Sequence, residues 1–130
     1  MCIRDRVNYG GSSGFGKAYR ERLNYKWGIV DSYDCKALAL ELTKSNLVDS
    51  EKVVISGNSA GGLTALNCLL CGATFTAAIC KYPVIDLKDM HYNTHRFEKD
   101  YLNSLVGNYA KNHDDYIKRS PVNYLSLIHI

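Results

Sequence analysis

The hydrophobic residues of this chain recur with two periods, and the order of these periods predicts its main elements. From Gly28 to Leu47 the apolar positions are spaced as on one face of a helix. Short apolar runs from Lys52 to Ser56 and from Ala77 to Tyr82 are typical of buried strands, and a helical run from Ser59 to Cys71 lies between them. This alternation predicts an α/β fold in which a parallel sheet carries helices on both faces.

The pattern is less regular on either side of this region. Arg6 to Tyr9 alternates polar and apolar residues, which predicts a short strand that leads into a glycine-rich loop. Beyond Pro83 the apolar spacing predicts two further helices, from Phe97 to Val106 and from His113 to Arg119. No internal repeat or low-complexity linker is visible, so we expect one domain at most.

The strongest candidate for chemistry lies where a predicted strand meets a predicted helix, at the run Gly57-Asn58-Ser59-Ala60-Gly61. A serine with glycines two positions before and after it, in that setting, is the pattern of a nucleophile elbow. We predict that the turn exposes the Ser59 hydroxyl for acyl transfer. The N–H of Ala60 and the start of the helix would then face the oxyanion. The alternative is a glycine-rich turn in which the serine merely caps the helix.

Composition adds few constraints on function. The residues are 46% hydrophobic and 22% charged, which is an ordinary composition for a globular protein. A length of 130 residues is short for a whole α/β hydrolase, the fold in which a nucleophile elbow is usual. The net charge of +3 is spread along the chain, so no nucleic-acid partner and no membrane surface are predicted. No apolar run approaches the roughly 18 residues that a membrane-spanning helix needs.

The five cysteines form an odd set, and several lie within apolar helix or strand patterns. This favours free thiols in a reducing, cytoplasmic setting. Cys68 and Cys71 have the spacing of a zinc or redox pair, but no second pair accompanies them. Packing in the core is the preferred interpretation, and neither a metal nor any other cofactor is expected.

The two ends differ from the rest of the chain. Residues 1–6 and 126–130 resemble translated sequencing-adapter read-through. We therefore expect them to be non-native tails on a partial domain that spans residues 7–125.

Several motifs follow one another in a fixed order along the chain: NYGGSSGFGKAYRERLNYKWGIVDSYDC, then GNSAGG, then THRFEKDYLNSLVG and finally SPVNYL. In this order they resemble the catalytic domain of the prolyl oligopeptidase family. Together these motifs span roughly residues 7 to 125 and are far more specific than a serine between glycines. The resemblance implies a partial α/β-hydrolase fold and a serine peptidase that acts on short peptides, with relatives among acylaminoacyl peptidases, dipeptidyl peptidases and prolyl endopeptidases.

The resemblance also implies roles for individual residues. Ser59 matches the family nucleophile, and Ala60 matches the residue whose N–H is one oxyanion donor. Val84 and Leu87 match the region that lines the pocket for the residue before the scissile bond. For apolar residues beside a strand end, plain core packing is an equally good interpretation of Val84 and Leu87.

The chain departs from the family pattern in two ways. Gly10 stands where the family usually has an arginine, so a local ion pair or contact is lost or replaced. The resemblance also places the triad acid, the triad histidine, one oxyanion loop and an N-terminal propeller domain outside this chain. We expect the 130 residues alone to be nearly inactive.

A triad within the chain is the less favoured alternative. Asp86 follows the second predicted strand, and His91, His95, His113 and His129 are the available bases. An esterase or lipase of the same fold, and a binding protein without catalysis, are the alternative functions, because the elbow itself does not distinguish esters from amides.

Overall fold

The computed structural model describes residues 3–94 and 100–127. Two strands, β1 (Val54–Asn58) and β2 (Ala77–Lys81), form a parallel sheet in which Val54 pairs with Ala77 and Asn58 with Lys81. The helices of the described residues are α1 (Lys17–Glu21), α2 (Val30–Lys44), α3 (Ala60–Leu70), α4 (Leu87–Asn93), α5 (Tyr101–Leu105) and α6 (His113–Lys118). Short 3₁₀ helices span Ser50–Lys52 and Pro121–Leu127.

Helix α3 covers one face of the sheet. It packs against both strands, and α2 packs on α3. Along each strand the side chains alternate between half-buried and exposed positions, as the period of two requires. On the uncovered face Val54 and Ile79 are 52% and 58% exposed. The predicted parallel sheet with its helices is confirmed, and within the described residues the helical cover lies on one face.

Two apolar clusters hold α3 in place. Leu63 on α3 belongs to a cluster with Trp27, Leu87 and Tyr116, whereas Cys68 on the same helix packs with a second group that includes Phe75. Leu63 and Cys68 are both fully buried. Because burying one leucine side chain contributes about 1.5–3 kcal/mol, these contacts fix the helix that begins at the candidate nucleophile.

The structure differs from the sequence-based prediction at several element boundaries. Residues 6–9 form no strand, since the described sheet offers them no partner strand. The first strand begins at Val54 because Ser50–Lys52 form a 3₁₀ turn, with the Asp49 carboxylate accepting the Glu51 N–H. Part of the helix predicted from Phe97 to Val106 lies outside the described residues, and the remainder is α5.

The sequence analysis did not predict α1 and α4, and it placed both cysteines of the Cys68 and Cys71 pair in the core. Cys68 is buried as expected, but Cys71 is the exposed residue that ends α3.

Among the described residues, no cluster of three or more histidine, cysteine or acidic side chains is arranged to hold a metal ion. No helix in those same residues is long and apolar enough to cross a bilayer.

Candidate active site

Ser59 is the single residue that joins the end of β1 to the start of α3. Its backbone has φ 49° and ψ −116°, a left-handed conformation that costs energy for a residue with a Cβ atom. The Ser59 N–H donates to the carbonyl of Lys81 at 3.1 Å, so β2 helps to hold this conformation. The Ser59 side chain forms no capping hydrogen bond on α3 and is exposed. The geometry is therefore that of an elbow, and the helix-capping alternative is wrong.

The glycines around Ser59 have unequal roles. A Cβ atom on Gly57 would lie 2.0 Å from the carbonyl oxygen of Gly61, where no side chain fits. A Cβ atom on Gly62 would lie 2.6 Å from the Cβ of Pro83. A Cβ atom on Gly61 would meet nothing within 4 Å in the described parts of the chain. The glycine pattern in the sequence includes Gly61, but the second position that has no room for a Cβ atom is Gly62.

The first turn of α3 leaves a backbone donor beside Ser59. Gly62 and Leu63 donate their N–H groups to the Ser59 carbonyl at 2.9 and 3.3 Å. The Ala60 N–H donates to no residue within 3–94 or 100–127, as is usual at the start of a helix. A free N–H next to an exposed hydroxyl, at the positive end of an 11-residue helix, is chemically suited to stabilise an oxyanion. The role of Ala60 as oxyanion donor stays a prediction.

Val84 and Leu87 both contact the apolar cluster beneath the elbow. Val84 is half-buried, and its N–H donates to the Ser59 carbonyl at 3.2 Å. Leu87 is fully buried in the cluster with Trp27 and Leu63. Leu87 thus packs in the core, the second of the two interpretations that the sequence allowed. Pocket lining by these two residues stays a prediction.

The acid and histidines weighed for an internal triad have other contacts. Asp86 caps α4, because its carboxylate accepts the N–H groups of Lys88 and Asp89 at 2.8 and 3.0 Å. His91 stacks on Tyr109 with ring centroids 4.9 Å apart, and its buried Nδ1 has no hydrogen-bond partner in the described chain. His113 lies 3.8 Å from the Asp114 carboxylate. His95 and His129 lie outside the described residues.

Sequence reasoning missed a buried carboxyl group under α3. Asp31 lies in the first turn of α2, where a solvated acid would interact favourably with the helix dipole. It is fully buried instead, and its Oδ2 accepts a hydrogen bond from the Thr64 hydroxyl at 2.5 Å. Thr64 lies one helical turn after Ala60, so this bond joins α2 to the helix that carries the oxyanion donor. A buried acid followed by a threonine 33 residues later gives no signal in a single sequence.

Burial raises the pKa of the Asp31 carboxyl above its ordinary value of 3.8, and the Thr64 hydrogen bond opposes only part of this increase. The stabilisation that a raised pKa provides is complete below pH 3.8 and is lost as the pH rises through the folded-state pKa. We therefore expect Asp31→Asn to gain thermal stability relative to the unchanged protein as the pH rises from about 4 to 8. Unfolding midpoints across this range test the sign. The exposed Glu41 on α2 supplies the control Glu41→Gln, and a pH-independent difference for Asp31→Asn would contradict the prediction.

Gly10, where the resemblance implies an arginine, lies against an arginine from another position in the chain. A Cβ atom on Gly10 would lie 2.8 Å from Val30 Cγ1 and 3.1 Å from the guanidinium carbon of Arg22. Arg22 pairs with Asp34 at 3.6 Å, and the Gly10 N–H donates to the same carboxylate at 2.8 Å. The Arg22 guanidinium therefore lies beside Gly10 and forms an ion pair there with Asp34.

The chain matches a known protein family over nearly its whole length. The model of the prolyl oligopeptidase family matches residues 6–128, which is nearly the whole chain. The chain belongs to the prolyl oligopeptidase family. Members of this family are peptidases. The solved structures that resemble this chain have its partial α/β-hydrolase fold.

The solved structures that resemble this chain include two puromycin-hydrolysing enzymes. A puromycin hydrolase matches with a TM-score of 0.87 and 41% identity over 90% of this chain. A puromycin-hydrolyzing peptidase of Mycobacterium tuberculosis matches with a TM-score of 0.87 and 41% identity over 89% of the chain. The acylaminoacyl peptidase of Pyrococcus horikoshii, with a TM-score of 0.77 and 23% identity over 91% of the chain, shows the fold alone.

A curated relative points the same way. The acylamino-acid-releasing enzyme 1 of Oryza sativa subsp. japonica is 34% identical over 85 residues, which is 65% of this chain. The chain spans 11% of the length of that enzyme and 18% of each puromycin-hydrolysing enzyme. It therefore corresponds to a small part of each of these enzymes.

Proposed function

We propose that this chain is the nucleophile-bearing part of a serine peptidase that cleaves short peptides through an acyl-enzyme on Ser59. The observation that carries the proposal is the strained, exposed Ser59 between β1 and α3, in a chain of this peptidase family. A sharp strand-to-helix turn with these glycine positions is the usual support of a hydrolase nucleophile.

The proposed chemistry has two steps. A histidine takes the proton of the Ser59 hydroxyl while its oxygen attacks the carbonyl carbon of the scissile bond, and the Ala60 N–H stabilises the oxyanion. The histidine then protonates the leaving amine, which departs as the acyl-enzyme forms. A water molecule, deprotonated by the same histidine, releases the acyl group and restores the serine hydroxyl.

The base and the acid of this mechanism are proposed to lie in polypeptide beyond the 130 residues. The Ser59 hydroxyl forms no hydrogen bond to any histidine in residues 3–94 and 100–127. In these residues Asp86 is engaged at the start of α4 and His91 in an aromatic stack. The C-terminal remainder of the catalytic domain and an N-terminal propeller domain are the further parts that the family resemblance implies.

The proposal is tested by labelling with a fluorophosphonate probe, which phosphonylates an activated serine. The complete reading frame that contains this chain and the isolated 130 residues are treated at the same concentration. We expect rapid labelling of Ser59, located by peptide mapping, in the complete protein and almost none in the isolated chain. Equal rapid labelling of the isolated chain would contradict the external base.

Parallel panels of peptide and ester substrates on the complete protein define the reaction class. Hydrolysis of peptides is the expected result. Hydrolysis of esters alone would identify an esterase of this fold, and absence of both labelling and hydrolysis would identify a binding role.

A further inference from the structure

The end of β2 carries an irregularity directly opposite Ser59. The regular parallel register pairs Asn58 with Lys81, so Ser59 would pair with Tyr82 and accept a hydrogen bond from residue 83. Residue 83 is proline, which has no N–H to donate. The Ser59 carbonyl instead accepts from Val84 at 3.2 Å, while the Ser59 N–H donates to Lys81 at 3.1 Å. Directly after the last ladder pair, Tyr82 and Pro83 together therefore oppose the single residue Ser59, which is the arrangement of a β-bulge.

Tyr82 is strained as well as bulged. Its φ is 38°, in the left-handed region where a bulky aromatic residue is rarely found. The flanking residues impose this conformation, because Lys81 and Val84 are both hydrogen bonded to Ser59 and the Pro83 ring packs against Gly62. Bulges and strained residues are concentrated next to active sites, where they redirect a side chain.

The bulge leaves the tyrosine ring largely exposed to solvent. Tyr82 is 74% exposed, the highest value among the large hydrophobic side chains of the described residues. Within that part of the chain its ring forms no stacking contact and its hydroxyl forms no hydrogen bond. Core packing thus accounts for Leu87 but not for Tyr82. The residues on either side of Tyr82 and Pro83, Lys81 and Val84, are both hydrogen bonded to Ser59.

We propose that Tyr82 is a specificity-determining residue whose ring contacts an apolar or aromatic substrate side chain next to the scissile carbonyl. This inference rests on the proposed function of Ser59 as nucleophile. An aromatic ring beside the reacting carbonyl favours large apolar side chains, because stacking adds to the free energy of apolar burial. The bulge holds the ring in register with the nucleophile, since both of its flanking residues are hydrogen bonded to Ser59.

The test compares substrate selectivity in the complete protein. The substrates are p-nitroanilides of phenylalanine and of alanine, each with a free and with an acetylated amino group. We expect Tyr82→Ala to lower the phenylalanine-to-alanine ratio of kcat/KM by about 5- to 10-fold, the effect of losing one aromatic contact. Tyr82→Phe keeps the ring and should retain the ratio.

Tyr25 provides a matched control variant. It is also an exposed tyrosine with left-handed backbone, φ 59°, but its N–H donates to Ser104 and its carbonyl accepts from Arg119. Tyr25→Ala therefore removes a similar side chain from a similarly strained position without touching the bulge. Its selectivity ratio should equal that of the unchanged protein. Thermal unfolding of all variants separates a loss of selectivity from a loss of folding.

The outcomes distinguish failure of the role of Tyr82 from failure of the proposed function. An active protein that Ser59→Ala inactivates, with an unchanged ratio in Tyr82→Ala, overturns the role of Tyr82 alone. An equal loss with both substrates in Tyr82→Ala also overturns it, because that result indicates a structural role. If the unchanged protein hydrolyses nothing and resists the probe, both the function and the role of Tyr82 are overturned.

Discussion

Replacement of Ser59 by alanine in the complete protein is expected to lower kcat by roughly 10⁵- to 10⁶-fold, as removal of the nucleophile does in subtilisin. The reason is that the acyl-enzyme requires the serine oxygen, and no other hydroxyl group is held in the elbow. The backbone donors and the substrate contacts remain in this variant, so KM should change little while kcat falls. Steady-state hydrolysis of a peptide substrate and fluorophosphonate labelling measure the two effects.

Ser56 offers a control for this experiment within the same strand. It lies on β1 with an exposed side chain, three residues before Ser59, and no hydrogen bond in the described chain depends on its hydroxyl. Ser56→Ala should keep both the hydrolysis rate and the labelling. If Ser59→Ala retained substantial activity, another residue would have to be the nucleophile.

The central part of this fold could be predicted because its elements have strong local patterns. The run from Val54 to Leu70 contains a β-branched strand, a glycine-flanked serine and an apolar helix, and the structure follows each of them closely. Residues 6–9 have an equally suggestive alternation but form no strand, because a strand needs a partner and the described sheet provides none. Local pattern therefore predicts an element only where the surrounding chain completes its hydrogen bonds.

In the candidate site, too, local sequence predicts some residues and not those that depend on distant contacts. Ser59 is visible in the sequence because its motif lies within five consecutive residues. Asp31 and Tyr82 could not be predicted in the same way. The importance of Asp31 comes from its hydrogen bond with Thr64, 33 positions away along the chain. That of Tyr82 comes from the hydrogen bonds of Lys81 and Val84 to Ser59, which lies 23 positions from Tyr82. For Tyr82 the available signal is the proline that follows it. A proline cannot donate to a parallel ladder, so it indicates a bulge only once the register with β1 is known.

Substitution of Gly57 by alanine is expected to produce the largest loss of stability of any single methyl group at the elbow, about 3 kcal/mol or more. The added Cβ atom would lie 2.0 Å from the Gly61 carbonyl oxygen and 2.3 Å from its carbonyl carbon. Both of these atoms are backbone, so no side-chain rotation relieves the clash. The first turn of α3 would have to move away from β1, and the Ala60 N–H would move with it. Activity should therefore fall together with stability.

Gly61→Ala is the matched control, because it adds the same methyl group four residues along the chain. Its Cβ atom meets nothing within 4 Å in the described residues, and Gly61 lies in the first turn of α3. Alanine is the better helix former, so this variant should be neutral or stabilised by about 0.5–1 kcal/mol. Unfolding midpoints and hydrolysis rates of the two variants give the comparison. Equal effects at Gly57 and Gly61 would contradict the close approach of β1 to α3, and with it the geometry that exposes Ser59.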